Sequence, residues 1–426
     1  MATLRDVTPP PGGGPRPGPG GGAGRGARSV PVLLGPAFVA AVAYVDPGNV
    51  AANVTAGARY GYLLLWVLVA ANLMAVLIQF QSAKVGLVTG RSLPELVGER
   101  LRPAARRAYW LQAELVAAAT DIAEVVGGAL ALHLLFGLPL ALGGLVVGAV
   151  SLALLLTQDR YGARRFEQLV VALLVVITVG FCLGLLVAPP DGGAVVEGLL
   201  PRFAGSDSVL LAASMLGATV MPHAIYAHSA LVRDRHGRAP EGEGRRLLLR
   251  ATRWDVGLAL AVAGVVNVAL LLLAASGLRG QEGTDSIDGA HAAITEALGP
   301  AVGVAFAVGL LASGLASTSV GAYAGATIMA GLLRLRVPLL TRRLVTLVPA
   351  IVLLAVGADP TWTLVVSQVV LSFGIPFVLV PLVALGRDRR LMGADRTGPR
   401  VHALLVLIAV LVVALNLVLL VLLATG

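Results

Sequence analysis

Charge is scarce in this chain. Only 13% of its 426 residues are charged, against about 25% in ordinary soluble domains. That is too little to solvate the surface of a soluble fold. Cysteine is almost absent: Cys182 is the single one and lies in an apolar run. It excludes an internal disulfide framework and any cysteine-based metal cluster. Lysine is represented by Lys84 alone among 32 basic residues, and with high Arg, Ala, Gly and Leu this fits a GC-rich bacterial genome. What is present instead is apolar: 57% hydrophobic residues and a mean hydropathy of +0.87. The composition predicts an all-α polytopic membrane protein. A net charge of +9 in a soluble chain would suggest nucleic acid. Here the basic residues sit in short loops between apolar runs, so membrane orientation and anionic lipid head groups account for them, and no nucleic-acid partner is predicted.

Apolar runs of spanning length fall at about 30–57, 62–88, 108–136, 138–157, 164–188, 207–232, 252–278, 300–333, 340–357, 361–386 and 400–425, which predicts eleven spans. Every second connection is basic. Arg16, Arg25 and Arg28 precede span 1, and Lys84, Arg91, Arg100, Arg102, Arg106 and Arg107 follow span 2. Arg160, Arg164 and Arg165 follow span 4; Arg233, Arg235, Arg238, Arg245, Arg246, Arg250 and Arg253 surround the connection after span 6. The same holds after span 8 (Arg334, Arg336, Arg342, Arg343) and span 10 (Arg387, Arg389, Arg390, Arg396, Arg400). The alternate connections are short or acidic, with Asp191, Glu197 and Asp207 in one and Glu282, Asp285, Asp288 and Glu296 in another. The positive-inside rule then puts the N-terminus in the cytoplasm and, with eleven spans, the C-terminus outside a plasma membrane. Residues 1–28 are Pro/Gly-rich and read as a disordered cytoplasmic tail rather than the start of a cleaved signal peptide, since cleavage near Ala41-Val42-Ala43 would discard half of an interrupted helix. Short interfacial helices are predicted within 92–107 and 285–298.

Two runs are interrupted where the hydrocarbon core should be. Span 1 carries Asp46-Pro47-Gly48-Asn49, and span 6 carries Met221-Pro222-His223. A central Asp costs about 2.5–3.5 kcal/mol on insertion scales. Proline removes a backbone donor and glycine weakens the helix further. Such a break is tolerated inside protein, where it lines a polar site. The two breaks open consecutive five-span blocks, 29–190 and 205–388, and because five is odd the second block enters with opposite polarity. Residues 398–426 form an additional span. Paired interruptions in inverted halves point to the central site of a transporter, so neither enzymatic catalysis nor a bound cofactor is expected.

The donors at the breaks are chemically specific. Backbone carbonyls near Ala43 and Ala218 lose their helical partners; Asp46 adds a carboxylate, Asn49 an amide oxygen and Met221 a thioether. A soft, neutral thioether favours Mn²⁺, Fe²⁺ and later transition metals over Ca²⁺ and Mg²⁺. Asp46 must be deprotonated to bind, which couples binding to proton release. Asp121 and Glu124 share one face of span 3, and two carboxylates buried side by side cannot both ionise cheaply. With Asp46, His223 and His228 they are candidate proton-pathway groups, with Arg342 and Arg343 as counter-charges. An amino-acid symporter of the same architecture, a cation channel and a metal sensor are the alternatives. Asp46 disfavours an anionic substrate group at the break, the inverted halves disfavour a channel, and no soluble signalling domain is present.

The residues resemble the Nramp divalent-metal transporters. The resemblance rests on Asp46-Pro47-Gly48-Asn49 with Met221-Pro222-His223, Thr120-Asp121-Ile122-Ala123-Glu124, Tyr161-Gly162 with Arg164-Arg165, Ser367-Gln368-Val369-Val370-Leu371-Ser372 and Phe373-Gly374-Ile375-Pro376-Phe377. It implies a LeuT-like fold of two inverted five-helix repeats and alternating-access uptake of Mn²⁺ or Fe²⁺ with H⁺, for which a monomer suffices. It also implies a metal site of Asp46, Asn49 and Met221, with the Ala218 carbonyl in one state and the Ala43 carbonyl and Gln368 in others. The intact Asp46 and Met221 differ from the related Mg²⁺ and Al³⁺ transporters. Span 8 departs from the commoner family pattern, with Leu315 and the Tyr323–Ala326 stretch lacking a Gln; its Ser and Thr residues read as small residues for close helix packing.

Overall fold

The computed structural model describes residues 35–425 except 162, 281, 282, 336 and 338. The tail expected at 1–28 lies outside them, as do Gly162, Glu282, Arg336 and the side chains of Tyr161 and Arg164. Every regular element among the described residues is helical. In order they are α1 (Pro36–Val42), α2 (Pro47–Tyr60), α3 (Leu65–Thr89), α4 (Leu93–Arg100), α5 (Pro103–Phe136), α6 (Leu140–Tyr161), α7 (Ala163–Val187) and α8 (Gly192–Glu197). Then come α9 (Ser206–Thr219), α10 (Pro222–His236), α11 (Glu243–Gly277), α12 (Ile287–Leu298), α13 (Pro300–Leu333), α14 (Leu339–Ala355), α15 (Pro360–Arg387), α16 (Arg389–Met392) and α17 (Pro399–Thr425).

Among the described residues, eight helical segments are long and apolar enough to cross a membrane, counting α9 and α10 as one. Of the three other runs expected to span, span 1 is divided between α1 and α2, α6 is a helix of 22 residues, and α14 has 17 residues. One boundary differs in kind. The interfacial helix expected across 92–107 ends at Arg100, and Pro103 at the first helical position starts α5 early, because proline suits a helix start and its predecessor resists helical backbone. Ser92 and Glu95 close a capping box on α4. Similarly, α11 begins at Glu243, ahead of its apolar run, its first turns being a charged extension.

Both expected breaks are present. After α1 the chain makes one 3₁₀ turn, Ala43–Val45, and becomes extended at Asp46 (φ −68°, ψ 166°). After α9 it unwinds at Val220 (φ −107°, ψ 67°) and Met221 (φ −72°, ψ 120°). Pro47 and Pro222 each take the first position of the next helix. Lacking an N–H, they leave the carbonyls four residues earlier, Ala43 and Ala218, without an α-helical donor.

Small residues bring the helices close enough to hold these breaks at the centre. α2 packs on α11, α9 on α15, α10 on α3, and α13 on α5 and α7. A Cβ on Gly127 of α5 would fall 2.0 Å from the Pro47 ring, and one on Gly217 would fall 2.0 Å from the Gln368 carbonyl oxygen. Asp255 of α11 caps α1 from a distance, accepting from the Gly35 and Ala37 N–H groups at 2.9 Å each.

Candidate metal site at the paired helix breaks

Asp46 is the N-cap of α2. Its Oδ1 accepts from the Asn49 N–H at 2.9 Å and from Asn49 Nδ2 at 2.7 Å. Asn49 Nδ2 also donates across to the Ala218 carbonyl, at 2.9 Å. The carbonyl orphaned by Pro222 is therefore gripped by a side chain of the other break. Gln368, from α15, donates to Asp46 Oδ2 at 3.2 Å and to Ser367 Oγ at 3.3 Å. These bonds join Asp46, Asn49, Ala218 and Gln368 into one cluster. Met221 stands three residues beyond Ala218, in the unwound stretch that follows α9, and Ala43 three residues before Asp46. All six are buried from solvent.

Two acceptors in this cluster have no donor. Asn49 Oδ1 and Gln368 Oε1 are buried and without a hydrogen-bond partner among the described residues. A buried polar oxygen left unpaired costs about 1–3 kcal/mol. Asp46 adds a carboxylate whose hydrogen bonds come only from neutral amides. One carboxylate, two free amide oxygens, backbone carbonyls at the helix breaks and a nearby thioether are together a donor set for a cation, of mixed hardness. Among the described residues no three His, Cys, Asp or Glu side chains converge, so the site is not built of ordinary transition-metal ligands.

The carbonyls on the other side of the break are held by residues that sequence reasoning missed. Asn267 of α11 donates to the Tyr44 carbonyl at 2.7 Å, and Ser313 of α13 to the Val45 carbonyl at 2.5 Å. Ser313 thus does more than pack; Ser317 and Thr318 bond within their own helix, to Ser313 and Gly314 carbonyls. Gln79 of α3 donates to the Tyr44 hydroxyl and accepts from His228 Nδ1 at 2.8 Å. That chain ties the first break to the middle of α10. The signal for Asn267 was visible, as the single amide of its apolar run, whereas Gln79 shares its run with Asn72 and Gln81.

The acidic face of α5 is divided. Arg343 pairs with Asp121 at 3.4 Å, both nearly fully buried. Arg342 reaches Glu114 instead, at 2.9 Å. Asp121, expected with Glu124, and Glu114, not singled out in the sequence, therefore each hold an arginine. Glu124 has neither carboxylate oxygen hydrogen-bonded among the described residues and faces Gly321 of α13, where a Cβ would lie 3.0 Å from Oε1. His223 Nδ1 lies 3.3 Å from Thr120 Oγ1, one residue from Asp121.

Both ends of the helix bundle are laced shut around the site. At the acidic end Arg59 pairs with Asp285 at 2.6 Å, and Thr55 donates to the Asp285 carbonyl at 2.9 Å. At the arginine-rich end α10 is held by Arg233–Glu95 at 2.8 Å, the Tyr109–Tyr226 hydroxyl pair at 2.6 Å and Leu93 N–H to Ser229 Oγ at 2.9 Å.

Residues 37–422 match the family described as Nramp, natural resistance-associated macrophage protein-like. The chain belongs to the Nramp family. A relative in Mycobacterium tuberculosis, named divalent metal cation transporter MntH, is 60% identical over 394 residues, covering 92% of both chains. The protein of the same name in Bacillus subtilis is 44% identical over 400 residues, 93% of each. Among solved structures, the Eremococcus coleocola manganese transporter in complex with an aromatic bis-isothiourea compound superposes with a TM-score of 0.83 at 32% identity, over 92% of this chain and 86% of that one. MhsT in complex with L-phenylalanine gives 0.61 at 15% identity, over 90% and 97%; that likeness is one of fold alone. This Nramp protein has the all-α architecture expected from its composition and the LeuT-like fold that the family resemblance implied, and is a multi-pass membrane transporter.

Proposed function

We propose that this Nramp protein imports divalent transition-metal ions, Mn²⁺ and also Fe²⁺, by proton-coupled alternating access. The observation that carries the reading is the pair of unpartnered amide oxygens, Asn49 Oδ1 and Gln368 Oε1, buried beside the Asp46 carboxylate. Asp46, Asn49, Met221 and the Ala218 carbonyl hold the ion in the inward-facing state, with the Ala43 carbonyl and Gln368 taking part in other states. The names of the relatives, divalent metal cation transporter and manganese transporter, support the same cargo.

Selectivity rests on Met221. Ca²⁺ and Mg²⁺ take oxygen ligands, and a thioether in the shell gives them nothing in return for a lost water. Drive comes from two sources. A negative-inside potential favours entry of a divalent ion by about 4.6 kcal/mol per 100 mV, at about 2.3 per charge. Asp46 must shed its proton to bind, and His223, Asp121 and Glu124 lie on α10 and α5 to receive it. Arg343 neutralises Asp121 and Arg342 neutralises Glu114, so the route runs along the α5/α14 side toward the cytoplasm, while His228 connects separately through Gln79 to Tyr44.

In this reading residues 29–190 and 205–388 are the inverted repeats and 398–426 an appended span. Counting α1/α2, α6 and α14 as crossings gives eleven spans, a cytoplasmic N-terminus and an external C-terminus in the plasma membrane. A single copy contains the whole site. The test is Mn²⁺ uptake into proteoliposomes with the internal pH recorded. Uptake should be accompanied by internal acidification and should be competed by Fe²⁺ but not by excess Mg²⁺. Uptake without proton movement would refute the coupling, and competition by Mg²⁺ would refute the selectivity.

A further inference from the structure

A second polar constellation lies at the arginine-rich end and includes no residue of the metal cluster. A cavity of about 380 Å³ receives Lys84 from α3 and Arg246, Arg250 and Arg253 from α11, with Arg396 from the connection before α17. Spacings of four and three residues put the three α11 arginines on one helix face, where like charges repel. Asp395 is the only carboxylate lining the cavity among the described residues, and Arg245 outside it already pairs with that group at 3.0 Å. Among the described residues no salt bridge reaches any of the five cations. Lys84 is nine-tenths buried with no hydrogen bond of its own among them. An adjoining cavity of about 270 Å³ shares Arg246 and Asp395 and adds Arg238 and Arg390. The four arginines are exposed to solvent, and five cations gathered around one carboxylate make a concave surface that attracts an anion.

The walls say which kind. Phe80 and Leu249 give the cavity an apolar side, and the Arg253 guanidinium sits over the Phe80 ring, 5.2 Å from its centroid. Trp254, next to Arg253, is exposed where the apolar run of α11 begins, and Trp is enriched at the head-group level of a bilayer. A phosphate joined to a glyceryl ester matches cations above an apolar wall at that depth. A free anion has no use for the wall. We propose that this cavity binds the phosphate of an anionic phospholipid head group from the cytoplasmic leaflet, with Lys84 as the buried contact and Arg250 and Arg253 as the rim. The site would make this protein's behaviour depend on anionic lipid whatever ion it carries.

Native mass spectrometry of the full-length protein, released from micelles containing phosphatidylglycerol or phosphatidylcholine, tests this. The wild type should retain phosphatidylglycerol in preference to phosphatidylcholine. Lys84→Gln and Arg250→Gln should each weaken that retention by roughly fivefold, at about one charge removed. Arg250 is exposed and unpaired among the described residues, so its variant folds even if the Lys84 variant does not. Arg107→Gln, an exposed arginine elsewhere on the same face, should change nothing. Excess inorganic phosphate should leave the lipid bound. Equal retention of both lipids, an unchanged Arg250→Gln, or displacement by inorganic phosphate, which would assign the cavity to a soluble anion, overturns the proposal.

Discussion

Both amide hydrogens of Asn49 are engaged, one on Asp46 and one on the Ala218 carbonyl, which leaves Oδ1 as a buried acceptor without a donor among the described residues. Gln368 repeats the pattern with Nε2 on Asp46 and Ser367. Each amide orients the carboxylate with its nitrogen and leaves its oxygen without a donor among the described residues. Such oxygens are hard ligands and cannot by themselves reject Ca²⁺ or Mg²⁺. In the proposed function that task falls to Met221, a buried thioether at the second break. Met221→Ala should therefore keep a measurable Mn²⁺ uptake while admitting Ca²⁺ or Mg²⁺, with discrimination reduced at least about tenfold. Radiotracer uptake with each ion decides it; discrimination equal to wild type would remove Met221 from the selectivity account.

Helices place these residues through close backbone approach. Gly217 of α9 lies against the Gln368 carbonyl of α15, so that a methyl group there would sit 2.0 Å from a backbone oxygen that has little room to yield. Gly217→Ala should lower stability by about 1–3 kcal/mol and slow transport by displacing Gln368. Gly257→Ala on α11, where a Cβ meets nothing within 4 Å, should leave both unchanged or gain slightly from helix propensity. Thermal unfolding in detergent distinguishes the two, and equal melting temperatures would contradict the packing argument. The breaks themselves were legible from the sequence, because a carboxylate and a proline are both costly in the middle of an apolar run. Their partners were not. Asn267 meets Tyr44, and Ser313 meets Val45, across more than 200 residues of chain, and no local pattern encodes that pairing. Arg342 and Arg343 illustrate the same limit. Adjacent in sequence, they point about 100° apart on a helix, and so they reach Glu114 and Asp121 separately.

At the scale of the molecule, alternation of basic and acidic connections was readable because it is summed over many residues, whereas the length of α14 depends on where one helix stops. The charge of Asp46 is kept at the buried centre, with polar ties at both ends of the bundle, Arg59–Asp285 at one and Arg233–Glu95 at the other. In the proposed function a cation entering that centre lowers the cost of burying Asp46 and satisfies two amide oxygens at once. Direct binding of Mn²⁺ to the purified protein, by titration calorimetry with wild type and Asp46→Ala, tests this most directly. One ion per chain should bind wild type, with proton release, and binding to the variant should fall by at least about a hundredfold, since no other carboxylate stands at the breaks. Undiminished Mn²⁺ binding by Asp46→Ala would contradict the account.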